Sequence, residues 1–505
     1  MNTGGTDNIS VIRFDTSFGS DVSNDFTLPD YMPEIKRLLY VTASALPEGK
    51  FLNGGALELD GTLSYNVVYA GDDGALSSAP LVAEYSADTA LSSPANGTDG
   101  IFVDTQLEGV TCRATGPRSL NIKSKLRFHV TGDDTVENDD TVLDKDGRVV
   151  SDSGLGIERL TEEISCVVRR RGSTTESVSG EMTAKDGAKA ILCDGTLNVT
   201  GASVTDGGVR VTGTVNVKCV FSTEDGYSRG TCAIPFETVV PVESDVPLTD
   251  ACAWGRVASV SVTPSDSDGG KFNVSVEYDL EAEASASDDS SVCTDAYSTD
   301  YESENEYRDL EVPEMIAFGV KRVDVEGSAE LKVQSGDAVL LDVSPASCQS
   351  SLSIIDGELA AAGTVKVRAL MNSGGEIFAQ EIEMPLRVEI AEAPEGISVQ
   401  DIRGMVTCSP GDAAVKISGN VIEASCPVTV TYSLCKKRKV KMLSTIKLGE
   451  STADGASPCI KVYYPEKDED VWNVSKKYRA DRVKLYKNNS FDGDTAEKGK
   501  PVIIV

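Results

Sequence analysis

A single histidine, His129, stands in the whole 505-residue chain. That scarcity excludes a histidine-based triad and any multi-histidine metal centre. Cysteines number 12, yet the closest two, Cys426 and Cys435, lie nine residues apart. No CxxC pair therefore exists for zinc, iron–sulfur or thioredoxin-type chemistry. Cations are scarce as well, with 47 Lys and Arg against 80 Asp and Glu and a formal charge of −33. Nucleic-acid binding needs clustered Lys and Arg against phosphate, so this balance argues for no nucleic-acid partner. Apolar runs such as Pro501–Val505 fall far short of the ~18 residues a membrane helix needs, which predicts no membrane insertion. Met1–Asp25 has neither a basic start nor an apolar stretch, which predicts no secretory leader. Without one, the cysteines read as buried reduced thiols and the compartment as cytoplasmic.

Catalytic signatures are also missing. The chain has no GxxxxGK[ST], HExxH or GxSxG motif, so it reads as a protein that is not an enzyme and needs neither cofactor nor metal.

What is present is a long repeat. Gly61–Tyr69, Gly213–Phe221 and Gly363–Met371 align without gaps, 152 and 150 residues apart. A repeat of that length is a whole domain. Each block places apolar side chains at alternate positions: Leu63, Tyr65, Val67, Tyr69; then Val215, Val217, Cys219, Phe221; then Val365, Val367, Ala369, Met371. Period two marks a strand with one buried face. Gly61, Gly213 and Gly363 interrupt the row, as at a bulge or a close backbone approach. Asp73-Gly74, Asp225-Gly226 and Gly374-Gly375 follow as tight turns. The returning strands carry Pro80, Pro235 and Pro385, which places them at sheet edges.

Leu120–Val130, Phe272–Leu280 and Val415–Ile422 alternate similarly. His129 has the opposite parity to Leu126 and Phe128 and so should face outward. Gly132–Gly156 and Ala282–Glu304 are acidic and polar and read as solvated linkers; neither has the ligand order of a calcium loop. Charge reverses late: Lys436–Val505 carries 16 basic and 10 acidic residues, opening with Lys436-Lys-Arg-Lys-Val-Lys441. That run reads as a polyanion patch or as a solvated linker into a last domain. The expected fold is mostly β: three related antiparallel β domains at 9–150, 157–300 and 306–435, and a small β-α-α-β domain at 457–505.

Two stretches carry resemblances. Leu28-Pro-Asp-Tyr-Met-Pro-Glu-Ile-Lys-Arg-Leu-Leu39 resembles the opening of the SPOCS domain, with Ile35, Leu38 and Leu39 as the stripe of a short amphipathic turn. Asp295-Ala-Tyr-Ser298 is similar to a run common between such domains. The second stretch, Ile460–Tyr478 with the ending Gly499–Ile504, resembles a LysM domain. That family implies N-acetylglucosamine-polymer contact through two loops, here Asp468, Glu469 and Asp470, then Asn488 and Asn489. Three carboxylates replace the usual Gly-Asp-Thr, which weakens the glycan expectation. Trp472 reads as a core anchor of the small unit rather than a sugar platform. SPOCS units followed by LysM resemble the spore-coat morphogenetic adaptors of clostridia. The resemblance implies a scaffold at the forespore surface in the mother cell, with a coat-assembly ATPase as protein partner. The alternative is a peptidoglycan-binding protein of the wall or spore cortex.

Overall fold

The computed structural model describes residues 8–53, 55–93, 97–98, 100–265, 270–332, 338–452, 460–491 and 493–505. Cys459, and residues 457–459 at the expected start of the last domain, lie outside them. Strands occupy 76 % of the chain and helices 4 %, so the protein is mostly β.

One six-strand topology occurs three times. In the first unit β1 (Asn8–Thr27) pairs with β6 (Ser119–Glu137), which pairs with β5 (Ile101–Ala114). The second sheet is β2 (Ile35–Asn53), β3 (Ala56–Gly71) and β4 (Leu76–Ala90). A three-residue strand, β7 (Thr141–Leu143), follows. The second unit repeats the plan with β8 (Ile157–Thr183), β13 (Lys271–Ser298) and β12 (Asp250–Pro264) in one sheet. Its other sheet holds β9 (Lys189–Thr205), β10 (Gly208–Thr223) and β11 (Gly226–Pro241). In the third, β14 (Tyr301–Glu330), β20 (Val421–Ser451) and β18 (Ile402–Pro410) face β15 (Val339–Ile355), β16 (Glu358–Ser373) and β17 (Glu376–Glu392). The short β19 (Ala414–Ser418) pairs with β20, and so does β7, in parallel.

The repeated blocks are the central strands β3, β10 and β16, and every alternate apolar residue named above is buried. Each row meets the opposite sheet in one core per unit. The proline-bearing strands β4, β11 and β17 are indeed outer strands. The three glycines mark close approach. A Cβ on Gly61, Gly213 or Gly363 would strike the carbonyl of Leu46, Asn198 or Gln349, and the first two also meet the rings of Tyr85 and Phe236.

Four local expectations are corrected. Ile35–Leu39 belongs to strand β2, not to an amphipathic turn, because its residues pair with β3 from Gly71 onward. Ala282–Ser298 is no linker: it completes β13 opposite β8, with Ala282, Ala284 and Tyr297 buried. Lys436–Lys441 lies inside β20, which runs past residue 435 to Ser451. Three of its five cations are held by acidic partners: Glu314 at 2.8 Å from Lys436, Asp15 at 3.1 Å from Lys437, and Glu162 against Arg438. Finally, Cys193 and Cys219 are disulfide-bonded. They are 26 residues apart in sequence, but the β9–β10 register sets them directly opposite one another.

The units assemble around a common line. Val68, Val220 and Leu370 occupy the same position of the three blocks, one step off the core-facing row, and pack together with Leu192 and Leu341. At a second cluster the first strands of the units meet through Ile9 and Val11, Ile164 and Cys166, and Leu310 and Val312. Repeat-equivalent residues converging on shared clusters mean an approximately threefold arrangement.

The last unit has β21 (Lys461–Tyr463), β22 (Glu469–Asp470), α1 (Val471–Tyr478), α2 (Arg482–Asn488), β23 (Thr495–Ala496) and β24 (Val502–Ile504). Asp470 caps α1 by accepting from the Trp472 N–H, and Asp481 caps α2 likewise at Lys484. Its core is Val471, Val474, Ala480, Leu485, Ala496, Val502 and Ile504.

Candidate functional site

Three places combine buried polar chemistry with contacts between units. The first is an ion cluster on the common line. Arg169 and Arg171 come from β8, Glu283 from β13, Asp104 from β5, Asp133 from β6 and Arg403 from β18. Arg171 bridges Asp104 at 2.7 Å and Glu283 at 2.7 Å. Arg169 meets Asp133 at 2.9 Å, and Arg403 meets the other oxygen of Asp133 at 2.5 Å. All three units thus contribute, and Arg169, Glu283 and Arg403 are almost wholly buried. Burial alone would raise the Glu283 carboxyl, but Arg171 and Arg169 outweigh it and hold it below the usual range. Phe102 and Trp254 cover Arg171 at 5.3 and 5.0 Å.

His129 adjoins this cluster. Its outward parity is correct for its own sheet, but that second face is covered by neighbouring units, so the ring is half-buried. Its Nε2 lies 2.8 Å from Asp15 and its Nδ1 3.8 Å from Asp104. Burial tends to raise the Asp15 carboxyl; His129 and Lys437 overcome this and bring it to about 2.

The second place is a cavity of about 1100 Å³ between the three units. Asp104 and Trp254 form its wall beside the ion cluster, and Asp194 and Val343 form it beside the apolar plug of Val68, Val220 and Leu370. Asp194 is half-buried as a residue, yet its Oδ2 is covered and has no hydrogen-bond partner. Burial, with the neighbouring charge of Asp342, pushes its carboxyl up to about 7.

The third place is where the C-terminal unit meets the body. Asp295, on β13, accepts from Trp472 Nε1 at 2.9 Å and from Lys476 Nζ at 2.6 Å, both on α1. It also accepts from Asn305 and Tyr307, each at 2.9 Å. Burial opposes ionisation, but the bonds from Lys476, Trp472 and Tyr307 hold its carboxyl below the usual range. Tyr297 donates to the Ala480 carbonyl at 2.6 Å and meets the Trp472 ring edge-on at 5.1 Å. Arg479 reaches Glu302 at 3.3 Å. The Asp295–Ser298 run is thus a clamp. Trp472 is buried, but against β13 rather than within the small unit's own core, so the core-anchor reading is corrected.

The five loop residues are engaged as follows. Asp468 accepts from the Lys498 N–H at 2.8 Å, Glu469 from the Tyr463 hydroxyl at 3.0 Å, and Asp470 caps α1. Asn489 bonds the carbonyls of Leu485 and Ile503 and accepts from the Ile503 N–H, tying α2 to β24. Asn488 ends α2. On the outer face of the β21–β24 pair, Ile460, Val462, Tyr464, Ile503 and Val505 are exposed.

The ion cluster and the cavity were not foreseen from sequence. The one available signal was Arg169-Arg-Arg171 within an otherwise acidic chain, following buried Val167 and Val168. Among the described residues no helix is long and apolar enough to cross a membrane, and no group of three or more His, Cys, Asp or Glu is placed to hold a metal ion. No protein-family model, curated protein or solved structure matches the chain.

Proposed function

We propose that the protein is a non-catalytic scaffold that works through protein–protein binding, with the C-terminal unit as its docking element. The carrying observation is the state of that unit's loops. Asp468, Glu469, Asp470 and Asn489 are committed to bonds that hold the unit itself together, and Trp472 is spent on the clamp. Of the five loop residues only Asn488 is exposed and without a bond given above, and most of the unit's exposed apolar side chains gather on the β21–β24 pair. Contiguous exposed apolar side chains suit a protein partner.

The resemblance to SPOCS and LysM domains supplies the context: coat assembly on the forespore surface, in the mother-cell cytoplasm, with a coat-assembly ATPase as partner. The test is binding of the purified full chain to that ATPase by biolayer interferometry. Val462→Asp, at an exposed position opposite Ile503, is expected to weaken binding at least tenfold without changing the melting temperature. No binding by the parent chain refutes the partner; equal binding by both chains refutes the surface.

A further inference from the structure

We propose that the central cavity receives an extended polypeptide segment without acidic side chains, which pairs as an added strand with the open backbone edges around it. The wall is made of consecutive residues: Thr42–Ala45, Asp104–Gly109, Cys193–Leu197, Trp254–Val260, Val343–Ser351 and Val406–Pro410. A sheet face would contribute every second residue, because side chains alternate. The runs of four to nine residues all come from outer strands, as strands seen edge-on give, while the central β3 and β16 reach the wall with three residues each, Ser64–Asn66 and Ala362–Thr364.

Each of the six strands concerned, β2, β5, β9, β12, β15 and β18, pairs with one neighbour only, so its other edge has no strand partner among the described residues. Some of the free carbonyls are met by side chains from another unit. Arg256 donates to Ala45, Gln349 to Glu108 at 2.6 Å, and Arg322 to Val199 and Thr200 at 2.9 and 3.1 Å. Within each unit the edges also come close to one another in pairs, β2 to β5, β9 to β12 and β15 to β18, without a ladder between them.

A second observation points the same way. Asn66 Oδ1, Thr105 Oγ1, Asp194 Oδ2 and Ser350 Oγ are buried, line this cavity and have no hydrogen-bond partner. They come from all three units and make the wall polar along its length. The guest need not be charged. Lys125 and Arg127 are both satisfied by Glu108, and Arg256 by Glu281. Lys218 is held by Asp412 and Asp104 by Arg171. The cations of the wall are thus all matched, so an acidic guest would have no free counter-ion there, whereas the Asp194 carboxyl has no ion-pair partner. The longest edge, the nine residues Val343–Ser351, spans about 30 Å at ~3.3 Å per residue, and strand addition along it is a known mode of peptide capture.

The probe is a displayed library of random nonapeptides panned against the full chain. The expected result is enrichment of β-prone peptides without Asp or Glu, whose binding falls at least tenfold in Gly109→Trp. Gly109 is a wall residue and a Cβ there meets nothing within 4 Å, so the ring is accommodated at the wall without disturbing the fold. Ala346→Trp, also in the wall, is the second blocking variant, with melting temperature as the folding control. No enrichment, or enrichment untouched by both variants, overturns the proposal. So does an N-acetylglucosamine tetramer that binds the parent chain and not Gly109→Trp, which would make the cavity a glycan site. The cavity is remote from the β21–β24 face, so this proposal and the docking role of the C-terminal unit fail separately.

Discussion

Glu283→Ala is expected to lower the free energy of urea unfolding by about 3–5 kcal/mol, the usual cost of leaving a buried charge without its partner. The carboxylate is fully buried and holds Arg171 and, at 4.0 Å, Arg169. Its removal leaves two buried guanidiniums sharing Asp104 and Asp133, with Arg403 already competing for the latter. The comparison is Glu237→Ala, which breaks the exposed Arg210 pair at 3.6 Å and is expected to cost under about 0.5 kcal/mol. Equal effects of the two changes would show that the ion cluster does not hold the units together.

Asp194→Asn is expected to remove a large share of the loss of stability above pH 4, the neighbouring Asp342 carboxyl, also raised by burial, supplying a further share. In the folded chain the carboxyl sits at about 7 rather than 3.8, so the native state binds the extra proton in that interval. A group raised on folding subtracts stability as pH climbs from its unfolded pKa to its folded one. At 1.36 kcal/mol per unit the loss amounts to about 4 kcal/mol, fully developed above pH 7. The surrounding charges are Asp342, which opposes ionisation, and Arg368 and Lys218, which favour it. Asparagine keeps the shape without the charge, so the variant should gain stability at pH 8 and change little at pH 4. Parallel pH profiles for the two chains would contradict this account.

The parts of the fold that could be read from sequence follow one physical rule. Period-two rows such as Val215–Phe221 bury one face, glycine permits close approach, and proline stays at an edge; each of these held. The helix of the small unit was legible too, because Val471, Trp472, Val474, Ser475 and Tyr478 follow helical spacing. What escaped was the second face. Val68, Val220 and Leu370 sit off the core row, and alternation alone assigns them to solvent, but the three units bury them against each other. His129 and the Arg169–Arg171 run were hidden for the same reason. Composition also misled: Ala282–Ser298 is polar and acidic, yet as part of β13 it carries the clamp residues Asp295 and Tyr297. For the five loop residues, sequence named positions and not the bonds they make. It could not show that Asp470 caps a helix and that Asn489 ties α2 to β24.

The most direct test of the scaffold reading is co-sedimentation of the full chain with purified peptidoglycan, alongside Asp295→Ala, which loosens the clamp and frees Trp472. The expected result is no saturable binding by either chain. Saturable binding that N-acetylglucosamine oligomers compete away would contradict the account and make the protein a wall binder.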